Sequence, residues 1–206
     1  LEKPTQKVDL IVPRGGENLI AFVKKHATCP VIISGRGNNF VYVNAEANLE
    51  KATAIIINGK TSNLSVCNAL DKVLIDTNLD NWEAFAKKII SELQQRNVTV
   101  LGDENISKAT NVPQIESELI WHEEFLDYKI VIGTTNSNQE AIDKINTYCG
   151  GHSASIITQN NAIAQEFMEN VDTAAVYQNA STRFTDGGQF GLGGELAIST
   201  DKLHQR

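Results

Sequence analysis

The sequence predicts an α/β fold built on a mostly parallel sheet. Short β-branched runs alternate with segments of helical periodicity along nearly the whole chain. The first unit, residues 8–13, 17–26 and 30–33, reads as strand, glycine turn, helix and strand. A crossover through a helix joins parallel strands, so this unit implies a parallel sheet. The second half alternates in the same way, without a repeat of fixed period.

Taken in order, residues 8–13 form an apolar run closed by Pro13 and read as a buried strand. Arg14-Gly15-Gly16 is either a tight turn or a phosphate-binding helix start. Leu19, Ile20, Phe22 and Val23 give residues 17–26 a helical pattern, and residues 30–33 read as the second strand. A polar loop, 34–39, leads to a strand at 40–43 and a loop with a helix over 44–57. After the polar stretch 58–69, a strand is expected at 72–75 and an amphipathic helix at 78–96. A strand at 98–101 precedes a polar excursion, 103–118, with one short helix. The acidic, aromatic stretch 121–127 leads to a strand at 129–134. Helix 137–148 carries Ser137 as its N-cap and stops at Gly150-Gly151. A strand at 155–158, a helix at 161–170 and a strand at 173–178 complete the alternation.

Composition narrows the function classes. A formal net charge of −7 over 206 residues argues against a nucleic-acid partner. No apolar run approaches the length of a membrane span, and no signal peptide is visible. Cys29, Cys67 and Cys149 are odd in number and lack metal-ligand spacing, so no metal site is expected and a reducing cytoplasm is the natural setting. Apolar and charged fractions of 41% and 21% are those of a globular protein. The chain begins at Leu1 rather than Met, which reads as a fragment of a longer protein.

Two stretches carry chemistry. Asn58-Gly59-Lys60-Thr61 runs on to Val66-Cys67-Asn68-Ala69. A thiolate is the strongest nucleophile a protein holds near neutral pH, so Cys67 is a candidate nucleophile; a small buried hydrophobe is the alternative. Residues 66–70 read as the first turn of a helix, which would aim N–H groups at the sulfur. Lys60 is the nearest cation in sequence, or a solvated surface lysine. The second stretch, 179–194, is long and glycine-rich, with Arg183 as a candidate anion fork. It reads either as a ligand loop or as a packed structural loop.

These motifs resemble the glutamate-5-semialdehyde dehydrogenase, or γ-glutamyl phosphate reductase, family of the aldehyde dehydrogenase superfamily. The resemblance rests on residues 10–16, 58–61, 66–69 and 124–127, on Gly151-His152-Ser153, and on residues 176–187, 190–193 and 198–204, in family order. It implies a three-layer, aldehyde-dehydrogenase-like catalytic domain with a mostly parallel sheet. It implies that Cys67 is the catalytic nucleophile and that Glu124 and Phe125 bind the cofactor, NADPH. It implies that Asn179, Ser181, Thr182, Arg183, Phe184, Asp186 and Phe190 line the pocket for L-glutamyl 5-phosphate. Where other superfamily members carry an acid that activates water, residues 33–37 hold no Glu. That suits a reductase, whose acyl-thioester is wasted if it meets water. The resemblance further assigns 1–33 to the end of a nucleotide-binding domain and 34–206 to the catalytic domain. It places an NADP-binding region before Leu1 and an oligomerisation segment after Arg206. A cytoplasmic homo-oligomer of proline biosynthesis, with glutamate 5-kinase as a partner, is the expectation that follows; the alternatives are another oxidoreductase of the superfamily, or a domain that is catalytically inactive in isolation.

Overall fold

A computed structural model describes residues 7–33, 37–188, 190–193 and 198–200. Residues 34–36, within the expected polar loop and the stretch without a Glu, lie outside these, as do Gln189, residues 194–197 and residues 201–206. The chain divides into two compact units, residues 1–35 with 196–206, and residues 36–195. The sequence reading draws its boundary between 33 and 34 and keeps the C-terminal residues with the catalytic domain.

In the first unit, α1 spans Glu17–His26 as expected. The two strands expected around it shrink to one parallel bridge between Ile11 and Val31. Ile11 N–H donates to Pro30 O at 3.0 Å, and Ile32 N–H donates to Ile11 O at 2.9 Å. Pro13 and Pro30 carry no N–H, so a longer ladder would lack donors at both ends. Val8 and Leu10 stay exposed, so little burial rewards extending it.

The second unit holds the sheet. Its strands are β1 (Asn39–Val43), β2 (Leu70–Asp76), β3 (Thr99–Gly102), β4 (Lys129–Thr135), β5 (Ser153–Ile157) and β6 (Ala175–Gln178). Among the described residues these six form one all-parallel sheet in the order β3-β4-β2-β1-β5-β6. Between them run α2 (Leu49–Thr61), α3 (Trp82–Gln94), α4 (Glu104–Thr110), α5 (Asn138–Tyr148) and α6 (Asn161–Asn170). Side chains of a strand point alternately to its two faces, and the core splits accordingly. Val41, Val43, Val73 and Ile75 pack with Ile56, Phe85, Ile89 and Ile106 of α2, α3 and α4. Phe40, Tyr42, Leu74 and Ile156 pack with Ile142, Ile145 and Phe167 of α5 and α6. The expected three layers follow directly: helices cover both faces of the sheet, as parallel strands require.

Every strand expected after residue 38 forms, with ends shifted by about two residues at most. Two helical expectations give way. Residues 78–96 supply only Trp82–Gln94, because Asp76 Oδ1 takes the Asn78 N–H at 2.9 Å and Asn81 sits at φ 55°. Residues 66–70 open no helix. Ala69 N–H donates to Val66 O at 3.0 Å, closing a turn, and Leu70 already starts β2. β2 pairs with β1 and with β4, and that two-sided ladder, invisible to local periodicity, decides the conformation.

Candidate active site

Cys67 lies in the turn between α2 and β2, partly exposed, at the amino end of the sheet. Its carbonyl accepts from Asn39 Nδ2 at 2.8 Å. The same amide nitrogen is 2.7 Å from Gly37 O and 2.7 Å from Ala69 O, so Asn39 laces the entry of β1 to the Cys67 turn. Gly37 presses against that turn: a Cβ there would stand 1.7 Å from Cys67 O and 2.7 Å from Cys67 Cα. Only glycine permits such an approach.

Gly37 also receives Glu124. Its N–H donates to Glu124 Oε1 at 2.8 Å, across 87 residues of sequence. Residues 67 and 124, singled out separately in the sequence, therefore meet at one glycine. Phe125 follows, its N–H donating to Asp71 Oδ2 at 3.0 Å. Its ring lies beneath two ammonium groups, Lys72 at 4.0 Å and Lys129 at 4.5 Å from the centroid.

The chain after β6 reaches the same place through residues 179–188. Asn179 turns the chain at φ 54°, and its side chain is spent on Thr158 N–H and Thr158 O. Ser181 Oγ caps a short 3-10 helix, Thr182–Phe184, by accepting from Arg183 N–H. Thr182 is fully buried and donates to Asn68 O at 2.8 Å. Asn68 Nδ2 donates to Thr185 O at 2.9 Å, and Arg183 donates to Asn68 Oδ1. Asn68, the residue after Cys67, thus anchors the loop three times. Arg183 also lies 3.9 Å from Asp186, and its Nε is buried without a partner among the described residues. Asp186 Oδ1 accepts from Gly188 N–H at 2.9 Å. Phe184 and Phe190 stand edge to face, 5.4 Å apart and half exposed, on the loop's outer side.

The other cysteine of this unit has a different character. Cys149 is buried, and desolvation pushes its thiol up to about 11, so it stays protonated and inert. No group of His, Cys, Asp and Glu among the described residues could hold a metal ion. No described helix is long and apolar enough to cross a membrane.

No family model matches the chain. A γ-glutamyl phosphate reductase of Clostridium botulinum (strain Alaska E43) is 49% identical over 199 residues, 97% of this chain and 48% of the relative. The crystal structure of the γ-glutamyl phosphate reductase of Thermotoga maritima is 43% identical with a TM-score of 0.91, over 97% of this chain and 48% of that one. The chain matches one half of a γ-glutamyl phosphate reductase along nearly all of its own length. It spans about half the length of the curated relatives it matches. A propionaldehyde dehydrogenase from Clostridium phytofermentans, at 20% identity and TM-score 0.69 over 98% of this chain and 54% of that one, shares the fold.

Several residues of the candidate site escape a reading of the sequence. Lys60, a nearby cation or a solvated surface lysine by sequence, is buried and ion-paired with Asp71 at 3.0 Å. Burial lowers its amine despite the carboxylate beside it. Asn38, Asn39, Asp71 and Lys72 are buried at the amino ends of β1 and β2. The available signal is the pair Asp71-Lys72 interrupting an otherwise apolar strand, since a charge inside a two-sided strand must find partners.

Proposed function

We propose that this chain is the thiol-bearing half of an enzyme that reduces L-glutamyl 5-phosphate to L-glutamate 5-semialdehyde and phosphate, with NADPH as reductant. The meeting of Cys67 and Glu124 at Gly37, in a chain that matches one half of such a reductase, carries the reading. The Cys67 thiolate attacks the acyl carbon, a C–S bond forms, and the C–O bond to phosphate breaks with its electron pair leaving on phosphate. NADPH held beside Glu124 would supply the hydride for the thioester carbon. The resulting oxyanion re-forms the carbonyl, the C–S bond breaks, and the aldehyde leaves with the thiolate restored. The Cys67 N–H is the chain's own donor for that oxyanion.

Glu124 suits a nicotinamide ribose by its chemistry. A carboxylate accepts two hydrogen bonds from a vicinal diol, and Gly37 fixes one of its oxygens beside the nucleophile. The 179–194 loop, with exposed Phe184 and Phe190 and with Arg183 facing Asn68, closes the acyl side. The remaining cofactor contacts belong to a nucleotide-binding region joined to this half, with residues 1–33 as its end. Because an acyl phosphate hydrolyses readily, a kinase that makes it in the same cytoplasm is the natural partner.

The test is Cys67→Ser in the full-length enzyme, assayed as phosphate-dependent reduction of NADP+ by glutamate 5-semialdehyde. Loss on the order of 10³-fold or more in kcat is expected. Turnover within tenfold of the parent would remove Cys67 as the nucleophile.

A further inference from the structure

Lys72 has no place in the chemistry above, yet it is wholly buried in the central strand β2. β1 pairs with β2 through Asn39 opposite Leu70 and Phe40 opposite Lys72, which leaves Asp71 as an extra residue. Such a bulge re-aims side chains that would otherwise alternate. Here the neighbours Asp71 and Lys72 both reach the segment 123–125. Asp71 Oδ2 takes the Phe125 N–H at 3.0 Å, while Lys72 Nζ donates to Glu123 O at 2.6 Å and lies 4.0 Å from the Phe125 ring centroid. Glu124 is held on both sides, its own carboxylate turned to Gly37.

The second donation of Lys72 goes to Asn38 Oδ1, at 2.8 Å. Asn38 precedes β1 and follows Gly37, and its Nδ2 donates to Trp121 O at 2.6 Å and Tyr148 O at 2.7 Å. One ammonium group therefore joins three segments: the strand leaving Cys67, the backbone beside Gly37, and the loop bearing Glu124. An apolar residue would fill a central strand without the desolvation cost, which here is large enough to bring the amine down to about 7. What an apolar residue would not do is fix the distance between these segments.

We infer that Lys72 is a positioning residue, a three-way clamp that holds the Glu124 loop against Gly37 and so sets the reach from the cofactor carboxylate to Cys67. It touches neither substrate nor cofactor. The cofactor part of this inference rests on the proposed role of Glu124; the clamp itself rests only on the geometry.

The experiment uses Lys72→Met in the full-length enzyme, which keeps the length of the side chain and removes the donors. Hydrogen–deuterium exchange is followed by mass spectrometry. Segments 37–39 and 123–126 should exchange at least tenfold faster, while β2 and β4 beyond them change by less than twofold. The KM for NADPH should rise at least tenfold with kcat within threefold. Lys72→Gln, which retains an N–H donor, should recover part of both effects. Unchanged exchange in the two segments would overturn the clamp, as would a variant whose kcat falls while KM stays constant. Faster exchange with both constants unmoved would keep the clamp and withdraw Glu124 from the cofactor. Should Lys72→Met fail to fold, Asn38→Ser removes an acceptor of the same ammonium, and unchanged exchange there would equally refute the clamp.

Discussion

At the scale of single residues, Gly37 carries the tightest constraint in the site. Its φ does not lie in the left-handed region, so space rather than backbone conformation excludes a side chain. The obstacle is the backbone of Cys67, with no flexible side chain to yield. Gly37→Ala must push the Cys67 turn, the Asn39 amide or the Glu124 carboxylate out of place. A displacement of about 1 Å in a reacting group costs on the order of 10²-fold in rate. The expected outcome is a loss of about that size in kcat/KM with cooperative unfolding retained, read by steady-state kinetics and thermal melting. Activity within threefold of the parent would mean the turn can move without consequence. This constraint is only half legible in the sequence. A glycine flanked by Arg36 and Asn38 announces a loop, and nothing local says that residue 67 rests on it.

At the scale of elements, α2 and β2 are bolted together by Lys60 and Asp71, both buried, 3.0 Å apart. Asp71 also serves Phe125 N–H, so the carboxylate is shared between a charge and a backbone donor. Removing only the lysine strands a buried carboxylate, which costs about 3–5 kcal/mol. Lys60→Met is expected to lose that much in urea unfolding at pH 7. The pair Lys60→Met with Asp71→Asn should lose less than Lys60→Met alone, because a neutral amide oxygen still accepts from the Phe125 N–H and the carboxylate stranded by the lost lysine is gone. A double variant at least as unstable as Lys60→Met would show that the Asp71 carboxylate is needed even without Lys60, as the charge beside buried Lys72. Sequence reading sees α2 and β2 here, since both have clear periodicity. It misses their bolt because Lys60 sits near a helix end, where a solvated lysine is the ordinary outcome.

Across the whole molecule, the alternation of strand and helix is legible because each crossover buries a local apolar stripe. The residues that make the site are not, because they depend on which strands become neighbours. In a doubly wound sheet, ligands ordinarily bind beyond the carboxyl ends of the strands. Here Gly37, Cys67, Glu124 and His152 all precede the strands that follow them, β1, β2, β4 and β5, so the candidate site gathers at the amino ends. The strand order β3-β4-β2-β1-β5-β6 is what brings those four points side by side, and no periodicity contains it. The price of the arrangement is polar burial at the sheet's end, and it should be visible in global stability. His152 is fully buried, with Nδ1 at 2.9 Å from Ser153 Oγ and Nε2 without a partner among the described residues. Desolvation lowers its pKa to about 4 from 6.5. Between those values the unfolded chain binds a proton that the folded chain refuses, so stability rises with pH through this window and falls as pH drops from 6.5 towards 4. The full difference is about 3 kcal/mol. His152→Gln cannot titrate, so its stability curve should be flatter over the same range by about that amount, whatever its absolute stability. Urea unfolding of both proteins at half-unit steps from pH 7 to 4.5 measures the two slopes. Parallel curves would show that the imidazole accepts its proton in the folded state, through water or a shift of β5, and that the sheet's amino end is less dry than its geometry requires.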